Sequence, residues 1–275
     1  MDGYHLVLLA LTFVLGVSIG SFVNVLIFRL RSGSRLTGRS KCMSCGRTLT
    51  PWMLIPLFSF CYQRGKCAYC GARIALQYPL VEIILGMLYV VIALVHGYDP
   101  LQTSVSQTFF VLGDMVIWTT LLAVTVYDLR HKIIPDSFSL FLAATAGMLL
   151  LVKWKLGILP TAYLPFWETM PSWIDLLAGP LVAAPFALLW FFSGGRAMGL
   201  GDAKLVWGIA WFLGFAEGIS SVILAFWVAF FPSLMLLLLR SKHFTMKSEI
   251  PFAPFLVAGA FLAYVFQINI LNWTF

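Results

Sequence analysis

Two aspartates stand where an apolar chain meets water: Asp128 in LLAVTVYDLRHKIIPD and Asp202 in SGGRAMGLGDAKLVWG. Each lies at the edge of an apolar run, at the same expected depth. Burying an ionisable group in a membrane protein is costly, so such a group is a functional candidate by default. Two carboxylates brought close in a low dielectric do not both ionise. One keeps its proton, which sets a general acid beside a general base. That pair can activate a water and protonate a leaving amine with neither metal nor covalent nucleophile. Gly199 and Gly201, just before Asp202, let the backbone pack closely or bend sharply, leaving room for an extended substrate.

Each aspartate also has a structural reading. Asp136 follows Pro135 and reads as the N-cap of the next helix, and Asp202 could equally cap the AKLVW helix. Asp128 could pair with Arg130 or Lys132. Side chains two and four apart on a helix differ by about 200° and 40°, so only Lys132 shares its face. Lys204 lies near Asp202 and is suited to snorkelling toward headgroups. Glu82 is the remaining carboxylate expected at the same membrane edge.

A second constellation is made of sulfur. Cys42 and Cys45 form one CxxC and Cys67 and Cys70 another, after 21 intervening residues; glycines 46 and 71 follow them. Such knuckles converge four thiolates on one ion with backbone N–H groups left to bond the sulfurs, which suits tetrahedral zinc. Two disulfides are the alternative, disfavoured in a reducing compartment. A closed four-cysteine site has no open position, so its expected role is structural. Cys61 is left over and reads as a small buried hydrophobe. The segment TPWMLIPLFSF between the pairs, broken by Pro51 and Pro56, is too short to span and is expected to lie against the membrane face.

The elements that must hold these groups are apolar helices. Of 275 residues, 61% are hydrophobic and 11% charged, against roughly 25% charged in a soluble protein. The expected fold is an all-α polytopic membrane protein of about eight transmembrane helices with a small cytoplasmic zinc-binding loop domain. The runs are 5–28, 79–96, 108–127, 137–152, 174–192, 204–216, 219–239 and 253–271, the fourth and sixth short. The first has no basic n-region or cleavage site and reads as a span, not a signal peptide. The expected domains are a first transmembrane helix, 1–28; a four-cysteine zinc-binding domain, 29–78; and a transmembrane domain, 79–275, that carries Asp128 and Asp202.

Charge orients the chain. Of 18 Lys and Arg, nine lie between Arg29 and Tyr78, where no Asp or Glu occurs. Seven more (Arg130, Lys132, Arg196, Lys204, Arg240, Lys242 and Lys247) fall on the same side, leaving only Lys153 and Lys155 opposite. The bias puts both termini outside and the cysteine loop in the cytoplasm, with Asp128 and Asp202 at the cytoplasmic edge. The net charge of +7 implies contact with anionic lipids and not with nucleic acid.

Taken together, GSFVNVLIFRL, the two CxxC pairs, RGKCAYCGARIALQYPLVE, DLRHKIIPD, GGRAMGLGDAKL and IPFAPFLVAG resemble the type IV prepilin peptidases, a branch of the GxGD membrane aspartyl proteases. The resemblance covers nearly the whole chain. It implies that Asp128 is the first catalytic aspartate and Asp202, in Gly199-Leu200-Gly201-Asp202, the second. It further implies removal of a basic leader from type IV prepilin or pseudopilin precursors, after a glycine, at the cytoplasmic face of a bacterial inner membrane. It also implies N-methylation of the new terminus, usually phenylalanine, with S-adenosylmethionine as donor; no residue spacing marks a donor site. Met43-Ser44 and Phe58-Ser59-Phe60 depart from the family's CPxC and Ser-Trp, which leaves loop-based substrate preference open. Two other classes compete. A zinc-ribbon scaffold would use both aspartates as caps. A transporter would place a carboxylate relay near the bilayer midplane, whereas these sit at its edge.

Overall fold

Backbone in hydrocarbon must satisfy its own hydrogen bonds, so apolar runs wind into helices. The computed structural model describes residues 3–32, 38–99, 102–159, 173–196, 198–238 and 251–272. Its helices are α1 (Gly3–Ser32), α2 (Phe58–Tyr62), α3 (Gln77–Val95), α4 (Val105–His131), α5 (Asp136–Lys155), α6 (Trp173–Leu176), α7 (Ala178–Ser193), α8 (Leu200–Leu213), α9 (Phe215–Leu238) and α10 (Ala253–Phe266). Among the described residues there is no strand, only the isolated bridges Lys41–Thr48 and Lys66–Arg73.

Five helices, α1, α3, α4, α5 and α9, are long and apolar enough to cross a membrane. The other three expected spans are α7, α8 and α10, of 16, 14 and 14 residues. At the usual helical rise they reach about 24, 21 and 21 Å, short of a core of about 30 Å. The fourth run, expected to be short, is a 20-residue helix. Asp2, Glu168, Arg240, Lys242, Lys247 and Glu249 lie outside the described residues.

The chain divides into two compact units, Met1–Ala123 and Val124–Phe275, with α4 passing from one to the other. In the first, α1 packs along α3 through small residues. Gly16 and Gly20, four apart, and Gly86 leave no space: a Cβ on Gly16 would lie 2.7 Å from the Leu85 carbonyl oxygen. Close approach of this kind is a principal way for helices to associate in lipid. At the far end of α3, Asp114 meets His96 at 2.9 Å, and Tyr4 donates to Asp99 at 2.9 Å.

In the second unit α5 and α7 both pack on α8, and α10 on α9. Gly259 lets α10 and α9 approach: an added Cβ would meet Ser221 O and lie 2.6 Å from Ala225 N, both backbone atoms. A backbone neighbour yields little, so Gly259→Ala is expected to destabilise by about 1–3 kcal/mol, as overpacking does. A lower melting temperature in detergent would show it; an unchanged one would mean the two helices can part freely.

Candidate active site

Asp128 sits in the last turn of α4 and is only 4% exposed. It pairs with neither Arg130 nor Lys132. Its Oδ2 instead accepts the Ala253 N–H at 3.2 Å. Ala253 opens α10, where backbone N–H groups have no partner within the helix and carry positive partial charge. Lys132 leaves the helix face because the chain turns there: its φ is +53°, and its N–H closes the last turn on the Asp128 carbonyl at 2.7 Å.

The turn leads through Ile134 to Pro135, which is the N-cap of α5, with no side-chain capping bond. The cap expected at Asp136 is therefore corrected by one residue: Asp136 is already helical. Its exposed carboxylate reaches Lys204 Nζ at 2.6 Å, tying the first turns of α5 and α8 together. An exposed pair of this kind contributes at most about 1 kcal/mol.

Asp202 lies in the first turn of α8. The N-cap is Gly199, in extended backbone, and the Asp202 carboxylate, three residues on, faces the backbone N–H of that cap residue. Gly201 keeps the turn close to the α4–α5 link: a Cβ there would stand 3.0 Å from Ile134 Cβ. Asp202 precedes the apolar stretch 204–216 and is half-buried. Its carboxyl is pushed up to about 6, first by burial and second by the negative charge of Asp128, against the pull of the Gly199 backbone. The two aspartates are thus electrostatic neighbours, although 74 positions apart (202 − 128). An acid that keeps its proton to higher pH beside a second carboxylate is the arrangement water activation needs. The Ala253 contact lay outside sequence reasoning. FAPF, with proline at the second helical position, was its one available signal.

The four paired cysteines converge as well. Each knuckle closes the same way: Gly46 N–H on Cys42 O at 2.9 Å, and Gly71 N–H on Cys67 O at 2.8 Å, with glycine φ of +71° and +70°. The four sulfurs lie within 4.8 Å of one another, Cys42 and Cys70 at 3.9 Å, and no disulfide joins them. Zinc–sulfur bonds of about 2.3 Å in a tetrahedron require about 3.8 Å between sulfurs. The residues therefore fit a metal ion of that kind. The backbone N–H groups of Cys45 and Ser44 hold the Cys42 thiol down to about 6, which favours the ligating thiolate. Cys61, expected buried, is exposed on α2, a short helix on the surface of the cysteine module.

Comparison with known proteins adds to this geometry. Residues 14–96 match the bacterial peptidase A24 N-terminal domain, and residues 115–237 the type IV leader peptidase family. The chain is 31% identical to the prepilin leader peptidase/N-methyltransferase of Bacillus subtilis (strain 168), over 97% of each chain. It is 28% identical to that of Aeromonas hydrophila, over 96% of this chain and 92% of the relative. It is 24% identical to that of Neisseria gonorrhoeae, over 94% and 92%. No solved structure matches.

Proposed function

Because the chain belongs to the type IV leader peptidase family, we propose that it is an aspartyl endopeptidase that removes the basic leader of prepilin or pseudopilin precursors after a glycine. The observation that carries this reading is the electrostatic contact of Asp128 with Asp202, neither of which forms an ion pair with a lysine or arginine among the described residues. The ionised member takes a proton from a water as that water attacks the scissile carbonyl carbon. The protonated member donates to the carbonyl oxygen, and a proton then passes to the departing amine. Ala253 N–H holds one carboxylate by a single oxygen, leaving the other oxygen for the water. The carrying test is cleavage of a pilin-like precursor by purified protein, and of its aspartate variants.

Cys42, Cys45, Cys67 and Cys70 would hold one structural zinc, which when bound fixes residues 29–78 as a module beside the peptidase domain, 79–275. The family's second activity, N-methylation of the new terminus, would draw on S-adenosylmethionine. The protein lies in the bacterial inner membrane, termini outside and Asp128 and Asp202 at the cytoplasmic edge, by the placement of its Lys and Arg.

The cysteine module is basic, and so is the leader expected of the substrate, so direct attraction between them is unfavourable. Anionic lipid holds both at the surface, each basic residue contributing about 1 kcal/mol. Cleavage is expected to fall several-fold in purely zwitterionic bilayers at fixed total lipid. Equal rates in bilayers with and without phosphatidylglycerol would remove the lipid from the account.

A further inference from the structure

One polar cluster in the first unit is left over by the peptidase chemistry. Glu82, on α3, is 6% exposed; its Oε2 accepts the Leu57 N–H at 2.8 Å, and Ser21 on α1 also bonds its carboxylate. Asn24, three residues after Ser21 and so on the same face of α1, is 2% exposed. Its Nδ2 donates to Tyr78 O at 3.1 Å, and its Oδ1 has no partner. The two helices bring these groups into one layer. Gly20 lies against the Glu82 backbone, where a Cβ would stand 2.8 Å from Glu82 Cα. Side chains on a helix lean toward its N-terminus, so Glu82 leans toward Tyr78, the residue that Asn24 holds.

A structural reading covers half of this. Glu82 anchors Leu57, whose φ of +58° is strained for a residue with a branched side chain, and so ties the cysteine module to α3. It does not account for Asn24. A buried carbonyl oxygen left without a donor is destabilising, more so than a leucine of similar volume. The carboxylate, too, has about four lone-pair directions and uses two. Two adjacent buried acceptors with spare capacity call for a ligand rich in donors, and a primary ammonium brings three N–H groups.

We propose that Asn24 Oδ1 and Glu82 bind the new N-terminal ammonium of the cleaved substrate, and that Glu82 takes its proton for methyl transfer. This rests on the N-methylation reading above. One N–H proton passes to the Glu82 carboxylate, leaving a neutral amine. The nitrogen lone pair then forms the C–N bond to the methyl of a sulfonium donor, the C–S bond breaks toward sulfur, and a thioether leaves. The product is the N-methylammonium terminus.

The test uses the full-length protein in nanodiscs and two synthetic peptides that begin at the mature N-terminal residue, one with a free amine and one N-acetylated. Binding is measured without methyl donor. Wild-type protein is expected to prefer the free amine by about tenfold or more. In Asn24→Leu and in Glu82→Gln that preference should shrink to about twofold or less. Glutamine still accepts from Leu57 and Ser21, so Glu82→Gln keeps the anchor. With donor present it should lose about a hundredfold or more in methyl transfer, while cleavage of intact precursor stays within about threefold. Wild-type methylation by Glu82→Gln, or equal binding of the two peptides by the wild type, would overturn the site. If the free amine is preferred but no peptide is ever methylated, the methyl-transfer reading fails and the amine site stands.

Discussion

Asp128→Asn and Asp202→Asn are each expected to abolish precursor cleavage, by about 10⁴-fold or more, because each removes one half of the proposed proton-sharing unit. Neither should disturb the fold. An asparagine Oδ1 at 128 still accepts the Ala253 N–H, and one at 202 still accepts from the Gly199 backbone. Detergent melting and expression should therefore stay close to wild type. The double variant should be no worse than either single one, since the pair acts together. Asp136→Asn, which loses only an exposed contact with Lys204, should keep most activity. Methyl transfer to an already cleaved pilin should survive in both aspartate variants. Substantial cleavage by either single asparagine variant would overturn the dyad. Unfolding of both would favour the scaffold reading, in which the carboxylates are structural.

Serine in place of Cys70 or Cys42 is the second large effect. Wild-type protein should carry about one zinc per chain, as four ligands per ion imply. Replacing a ligand should lower zinc affinity by more than the roughly 10–100-fold that loss of an outer-shell partner costs. Part of the binding free energy is folding free energy, so the cysteine module should also become more sensitive to proteolysis. Cys61→Ser should change neither property, since Cys61 is not among the four converging sulfurs. Elemental analysis decides the point: full zinc retention by Cys70→Ser would end the assignment.

The eight apolar runs of the sequence all recur as helices, because hydrophobicity and the need to satisfy backbone bonds in lipid are both written locally. The cysteine cluster was legible for the same reason, its spacing and glycines being local. What escaped depends on contacts across the chain. The sequence puts the cap at Asp136, whereas Pro135 takes it and Asp136 is already helical. Residue type favours a buried Cys61, whereas α2 is too short to bury a face. In the sequence Glu82 is only a carboxylate at the membrane edge; its bond to Leu57 crosses 25 positions. No periodicity encodes such a contact.

The Ala253 N–H lies 125 positions beyond the carboxylate it holds. A chain emerging from the ribosome therefore inserts α4 and then α8 well before the donor that seats Asp128 has been synthesised. Through most of translation the proposed aspartate pair exists in sequence but lacks its final support. The seating of Asp128 therefore waits on a helix whose first residue is made 51 positions after Asp202 (253 − 202).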